Sequence, residues 1–319
     1  MLDLAHQELL AQVASFYYCD DLTQDAIAEQ LGLSRIKVYR LLKEARQEQV
    51  IQFTIHWPLQ RTAALERDLC QAFGLQEALV LRTNPEDDQQ TLQRLGGLGA
   101  RYLEQILKDG VTLTVYLGRS TYEVIHAIRP DFQAKIQVVQ AVGSMAAGLG
   151  TADSATLARM LAHKLGGEVT YLPSPSVVDS VEAASILRRQ RDIQHALERA
   201  RMAQVALLGI GHLDPLLSSF VKAGFVSAEE MVAMQELGAV GDIAGQLFTR
   251  SGHLFDHPLN ERVIGLRLED IRRIPLTLAV AAGLAKAIAI LGALRTGAIN
   301  VLVTDSETAH AVLTLSKQN

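Results

Sequence analysis

The chain has 319 residues, 49% hydrophobic and 20% charged, and its formal net charge of -5 argues against a protein that coats nucleic acid non-specifically. No apolar run nears the ~20 residues of a membrane helix, Asp3, His6 and Glu8 interrupt any leader, and Cys19 and Cys70 form neither a CxxC nor a Cys/His ladder. The expectation is a cytoplasmic protein of two units, with no membrane segment, no cofactor, no structural metal and no disulfide framework.

Leu9, Leu10, Val13, Phe16 and Tyr17 recur at helical spacing and predict an amphipathic helix from about Leu4 to Tyr18, ended by Asp20 and Asp21. Thr23 then offers an N-cap oxygen to a short second helix carrying Ile27, Ala28 and Leu31, which stops at Gly32. Leu33 anchors the turn, and Ser34 caps a third helix whose Val38, Leu41, Leu42 and Ala45 must face the other two. At about 100° per residue the opposite face carries Ile36, Tyr39, Arg40 and Lys43, with Arg35, Lys37 and Arg46 on its shoulders.

Charge is concentrated on that third helix. Arg35, Lys37, Arg40, Lys43 and Arg46 are all the Lys and Arg of the first 56 residues, whereas Asp3, Glu8, Asp20, Asp21, Asp25, Glu29 and Glu48 lie outside the basic segment and only Glu44 within it. Helix, short glycine turn and capped basic helix make a helix-turn-helix, whose second helix enters the major groove of double-stranded DNA. Arg and Lys suit guanine edges or phosphates, and the outward Ile36 suits a thymine methyl. The expected DNA-facing residues are therefore Gln24, Ser34, Arg35, Ile36, Lys37, Tyr39, Arg40 and Lys43, with Gln24 reaching a phosphate from the start of the preceding helix.

Alternation of Ile51, Phe53 and Ile55 predicts a short strand or wing, and Trp57-Pro58 breaks the chain, so the first domain is expected over 1–57. Leu65, Leu69, Ala72 and Phe73 predict a linking helix closed by Gly74, opening a second domain over 58–319. Beyond it, short apolar runs (Ala78 to Leu81, Leu113 to Leu117, Ile136 to Val142, Val205 to Ile210, Leu276 to Ala281, Ile299 to Thr304) alternate with helical patterns. That alternation predicts a doubly wound α/β domain with a mostly parallel sheet, and ligands in such folds bind at the carboxyl ends of the strands.

The loops after those runs supply a candidate pocket. Gly118-Arg119-Ser120-Thr121 runs from a strand into a helix and offers amides, hydroxyls and a guanidinium to a phosphate. Gly143 and Ser144, the Gly209–His212 stretch, Asp242 after Gly241, and Lys286 stand at comparable positions; Asp242 suits sugar hydroxyls and Lys286 a phosphate. A helix cap at Asp242 and an exposed helix residue at Lys286 are equally open readings at this point. "LGGLGA" (95–100) lacks the dinucleotide order and reads as close helix packing, and "HLFDH" (253–257) lacks the helical spacing of a metal site.

The stretches "FYY" and "LTQDAIAEQLGLSRIKVYRLLKEA", followed by "ALLGIG", "AVGDIAG" and "GAINVLVTDSETAHAVL", resemble the SorC-type sugar-responsive transcriptional regulators over most of the chain. The C-terminal half of that family is similar to sugar-phosphate isomerases and glucosamine-phosphate deaminases. The resemblance implies a tetrameric repressor or activator that is released from, or remodelled on, its operator DNA by a phosphorylated sugar or sugar-like effector; the expectation is a homo-oligomer, dimer to tetramer, that regulates carbohydrate genes and is not an enzyme. The other reading is a sugar-phosphate enzyme with an accessory DNA-binding domain, for which Asp242, His163 and His212 are the available acid/base groups. Tyr116 stands where the family has the first glycine of G-x-G-x-x-T, Gln140-Ala141 replaces a double glycine, and Ala282-Gly283 precedes Lys286 in place of another.

Overall fold

The structure, a computed structural model, describes residues 4–48, 50–51, 58–83, 88–145 and 153–318. It divides into two compact units, Met1–His56 and Trp57–Asn319. The strand expected through Phe53 and Ile55 and the break at Trp57 lie outside the described residues.

In the first unit, α1 (Leu4–Tyr18), α2 (Gln24–Leu31) and α3 (Arg35–Gln47) enclose a small core. Local chemistry sets their ends. The Thr23 hydroxyl accepts the Ala26 N–H at 3.2 Å, Gly32 takes the left-handed conformation with φ 65°, and the Ser34 hydroxyl accepts the Lys37 N–H at 3.2 Å. Leu10, Val13 and Ala14 of α1 meet Ile27 and Ala28 of α2 and Val38, Leu41, Leu42 and Ala45 of α3, all buried. His6 Nε2 lies 2.6 Å from Glu44 Oε1 and joins α1 to α3 at one edge. Arg46, expected on the outward shoulder, instead donates to the Tyr18 hydroxyl at 2.6 Å and ties the other edge of the same helices.

The second unit begins with α4 (Ala63–Phe73), which buries Leu65 and Leu69, leaves Ala72 exposed and ends at Gly74 with φ 67°. There follow β1 (Glu77–Leu81), α5 (Asp88–Ile106), β2 (Thr112–Val115), α6 (Arg119–Ala127), β3 (Gln137–Gln140), α7 (Ser154–Leu165), β4 (Glu168–Thr170), α8 (Val181–Arg188), α9 (Arg191–Arg201) and β5 (Val205–Gly209). The chain continues through β6 (Gly211–His212), α10 (Ser219–Lys222), α11 (Ala228–Glu236), β7 (Ala239–Ile243), β8 (Gln246–Thr249), α12 (Pro258–Arg262) and α13 (Leu268–Ile271). It closes with β9 (Leu276–Val280), a 3-10 turn (Leu284–Lys286), α14 (Ala287–Arg295), β10 (Val301–Asp305) and α15 (Ser306–Lys317).

Among the described residues, seven strands form one parallel sheet in the order β1-β10-β9-β5-β2-β3-β4. Its central strands are apolar runs because both faces are covered: every residue of β10 is buried, and the two large cores belong to opposite sides of the sheet. The fold is thus the doubly wound α/β arrangement that the alternation predicts. Gly96 and Gly99 serve the packing of α5 on α6, since a Cβ at Gly96 would meet the Glu123 backbone at 2.6 Å and one at Gly99 would meet Val124 at 2.9 Å.

Two features depart from the sequence expectation. The edge strand β4 is three partly exposed residues, too short to register as an apolar run. More consequentially, "AVGDI" is not a loop after a parallel strand: it is β7, the middle of a separate antiparallel sheet β6-β7-β8. Ala244 (φ 54°) and Gly245 (φ 78°) form the two-residue turn between β7 and β8, the positive-φ geometry that tight hairpins need.

At the end of β3, Gln140 is a buried structural hub. Its Nε2 donates to Val142 O at 2.8 Å, Ser154 Oγ at 2.8 Å and Ser144 Oγ at 3.2 Å, and its Oε1 accepts the Leu172 N–H at 3.0 Å. An amide supplies both donor and acceptor here. Gln140→Leu should therefore lower stability by roughly 2–3 kcal/mol by leaving buried groups unpaired. Urea denaturation of the two proteins measures it; an unchanged midpoint would show that the loop is held otherwise.

Candidate functional site

On the first unit, Ile36 and Tyr39 are 66% and 57% exposed, an unusual fate for large hydrophobic side chains on a helix that buries four others. Lys37, Arg40 and Lys43 are exposed beside them and make no side-chain hydrogen bond or ion pair among the described residues. Arg35 is only loosely engaged, 3.8 Å from the Asp25 carboxylate at an exposed site, which leaves it available. Gln24 is half-buried at the first turn of α2. Ser34 is committed to capping α3, so its contribution is to the helix start. Arg35, Ile36, Lys37, Tyr39, Arg40 and Lys43 thus share the outward side of α3. Cations flanking apolar groups on one helix are the chemistry that reads phosphates, guanine edges and thymine methyls.

In the second unit, polar groups gather where β2, β5 and β9 end. Gly118, with φ 142° and ψ 157°, opens α6 at a backbone conformation that a side chain would strain, and the first turn places Arg119 outward and Ser120 and Thr121 inward. Thr121 is fully buried and its hydroxyl has no hydrogen-bond partner among the described residues. It lies in the crevice between the β2 and β5 ends, because a Cβ at Gly118 would stand 3.7 Å and one at Gly209 3.9 Å from Thr121 Oγ1.

Lys286 approaches from the end of β9. It sits in the 3-10 turn, not on an exposed helix face, and its ammonium donates to the Ile210 carbonyl at 3.0 Å. Gly283, just before that turn, donates its N–H both to Thr308 Oγ1 at 2.8 Å and to Asp305 Oδ2 at 3.2 Å, so the caps of α15 also fix the approach of Lys286. Burial holds the Lys286 ammonium below the usual lysine range; the Asp242 charge opposes this, and Arg119 adds to it.

Asp242 faces the same region from β7, paired in register with Gly211. The glycine is required there, since a Cβ at Gly211 would overlap the Asp242 carboxylate. Asp242 is 6% exposed, accepts the Gly245 N–H at 3.2 Å through Oδ2, and forms no ion pair within 4 Å among the described residues. Burial therefore pushes its carboxyl up to about 6, against the opposing pull of the Gly245 N–H and Lys286. It is a strand residue and not a helix cap. His212, the neighbour of Gly211 in β6, is held below the usual histidine range by burial and by Lys286.

The fold brings Arg119, Thr121, Asp242 and Lys286 into one neighbourhood. Gly143 and Ser144 belong to a different set of bonds: Gly143 N–H donates to Ile264 O, Ser144 exchanges backbone hydrogen bonds with Ser174 and Ser176, and a Cβ at Gly143 would collide with Pro175 O. His163 is exposed on α7. In 253–257, His257 Nδ1 accepts the Leu259 N–H, and His253 Nδ1 lies 2.9 Å from Ser251 Oγ. Gly245, whose N–H bonds Asp242, and Tyr116, whose hydroxyl lies 3.2 Å from where a Cβ on Gly245 would stand, border this neighbourhood without being marked as strand-end candidates. The dipeptide Ala244-Gly245 between two apolar stretches was the available hairpin signal.

The family model described as "Putative sugar-binding domain" matches residues 58–314. The transcriptional regulator LsrR of Enterobacter sp. (strain 638) is 34% identical over 99% of this chain and 95% of its own length. The deoxyribonucleoside regulator of Bacillus subtilis (strain 168) is 30% identical over 98% of this chain and 99% of its own. Among solved structures, the full-length sorbitol operon regulator SorC from Klebsiella pneumoniae superposes with a TM-score of 0.72 at 26% identity, covering 96% of this chain and 99% of that one.

The Asp242 environment has a measurable consequence. A carboxyl whose folded value of about 6 exceeds its ordinary 3.8 favours the protonated native state, so its ionisation opposes folding above pH ~6 and this opposition disappears as pH falls towards 4. Asp242→Asn should be the more stable protein at pH 7.5, by up to about 3 kcal/mol, with the difference vanishing near pH 4. Paired urea denaturation across pH 4–8 checks this; a difference that does not vary with pH contradicts it.

Proposed function

Because the chain belongs to the SorC/DeoR-like family of sugar-binding transcriptional regulators, we propose that its first unit binds operator DNA through α3 and that a phosphorylated sugar at the second unit controls that binding. The observation that carries the sensing half is the gathering of the Thr121 hydroxyl, unpartnered among the described residues, and the Lys286 ammonium at the ends of a parallel sheet, with the buried Asp242 carboxyl facing them from β7. Amides at the start of α6, with Arg119 and Lys286, suit a phosphate, and Asp242 suits the hydroxyls of the sugar. Gly143 and Ser144 line the same ligand only if it extends towards the end of β3.

The chain acts by binding and not by turnover in this reading. His163 is exposed on α7 and shares no hydrogen bond or ion pair with the buried Asp242 among the described residues, and Asp242 with His212 alone lacks the positioned acid/base set that isomerisation or deamination needs. The regulator works in the cytoplasm as a homo-oligomer, dimer to tetramer, in which paired recognition helices read half-sites about 34 Å apart or multiples of that. No described helix is long and apolar enough to cross a membrane.

Arg40→Ala should weaken operator binding by roughly 1–3 kcal/mol and relax preference at one base pair. Lys43→Ala should weaken specific and random DNA alike and lower the salt slope by about one. Gel-shift titrations at several salt concentrations separate the two, and unchanged affinity in both variants would remove α3 from the interface.

Asp242→Ala should bind operator as the wild type does but no longer respond to effector, a coupling of typically 1–3 kcal/mol. Sugar without its phosphate should bind far more weakly than the phosphorylated form. Calorimetry and operator release read both outcomes; an unimpaired response in Asp242→Ala would exclude this site.

A further inference from the structure

Tyr116 follows β2 and is only 7% exposed. Its ring belongs to the larger core, but its hydroxyl reaches the tip of the β7–β8 hairpin, 3.2 Å from where a Cβ on Gly245 would stand. The left-handed glycine leaves room for that approach. On the other side, the Gly245 N–H donates to Asp242 Oδ2, so phenol and carboxylate address the same two-residue turn. Neither bonds to the other. Among the described residues the Tyr116 hydroxyl makes no hydrogen bond at all, and Asp242 has only the Gly245 N–H.

Two oxygens on largely buried side chains, one able to donate and one able to accept, thus flank a turn with no further hydrogen-bond partner among the described residues. Neither is among the fully enclosed unpartnered atoms, so each keeps an open side on which a ligand hydroxyl or water can complete its bonding. Resting on the effector-site reading above, we infer that Tyr116 is a specificity-determining residue, whose O–H donates to a hydroxyl oxygen of the bound sugar while that hydroxyl donates its own proton to Asp242.

The protonation states suit those roles. Burial and the Asp242 charge push the Tyr116 phenol well up, so it stays a donor at neutral pH, whereas Asp242 is ionised above about 6 and accepts. The other groups around the carboxyl are Lys286, from the turn after β9, and His212, on the strand that pairs with β7. Lys286 holds Ile210 O and acts on Asp242 through its field; no hydrogen bond from His212 reaches the carboxylate. In the absence of sugar a water would relay the same two bonds. A sugar phosphate lacking the hydroxyl at this position would leave both groups unfilled, which is how the pair discriminates.

The test uses the full chain and Tyr116→Phe, a substitution that keeps the ring in the core and removes one oxygen. Pentose and hexose phosphates and inorganic phosphate are titrated into both proteins by calorimetry, and the Asp242 carboxyl is titrated by carboxyl-detected NMR without sugar. The expected result is a loss of about tenfold or more for the sugar phosphate that the wild type binds most tightly, inorganic phosphate within twofold, and an upward move of the Asp242 midpoint. Sugar affinity within twofold of wild type overturns the inference, and if the midpoint still moves the gap holds water only. Equal losses for sugar phosphate and inorganic phosphate overturn it as well, as a packing effect. A wild type that binds none of the sugar phosphates contradicts the effector reading itself, which a Tyr116-specific failure would leave standing.

Discussion

A parallel sheet covered on both faces can present polar chemistry only where its strands stop. Along β9 and β10 almost every side chain is buried among aliphatic neighbours, and the backbone donors and acceptors are consumed by the ladder. At the carboxyl ends both restrictions lapse together: the next residues leave the ladder, and their amides and side chains are free to turn towards a common crevice. Thr121, the turn carrying Lys286, and the β5–β6 junction at Ile210 all depend on that release. The rest of the second unit exists, energetically, to hold those ends in register.

Asp242 is the exception that the antiparallel sheet makes possible. The main sheet holds a buried carboxylate, Asp305, only at the end of β10, where it caps α15 and accepts from Thr308 and Gly283; further back along a strand such a group would have only aliphatic neighbours. On β7 Asp242 instead lies over Gly211, which has no side chain, and beside the N–H of Gly245, which only a left-handed residue can present at that turn. Two glycines, 34 residues apart in the numbering, therefore make the pocket in which this buried carboxyl is tolerable. Toleration is incomplete, as the upward displacement of its titration indicates. A buried carboxyl kept short of partners has more to gain from a ligand than a satisfied one.

How far the sequence foretold this depends on the range of the interaction that decides each feature. Thr23, Gly32 and Ser34 delimit the first unit through contacts within four residues, so the three helices and their buried stripe are readable directly. The six longer parallel strands are readable because they are apolar runs. Arg46 could not be assigned to Tyr18 from helical spacing alone, because its partner lies on another helix. β4 is too short for a pattern, and β6–β8 is disguised by glycines that look like loop punctuation until their partners are known. The candidate residues of the crevice come from strand-end positions that the sequence marks. Their mutual distances, the separate bonding of Gly143 and Ser144, and the Thr121 hydroxyl left without a partner among the described residues belong to long-range packing.

One unit carries a cationic and apolar helix face and the other a crevice with a lysine, a carboxyl and a threonine hydroxyl, and the proposed control of one by the other is a coupling free energy. That coupling exists only if the sugar phosphate prefers one DNA-binding state of the assembly over the other. The direct measurement is a titration of the full-length protein, bound to an operator selected from random duplexes, with sugar phosphates, following fluorescence anisotropy of the DNA and chemical change of the sugar in the same sample. The account predicts that a phosphorylated sugar shifts operator affinity by about 5- to 150-fold while remaining chemically unchanged. Conversion of the sugar with operator affinity unaltered would contradict it.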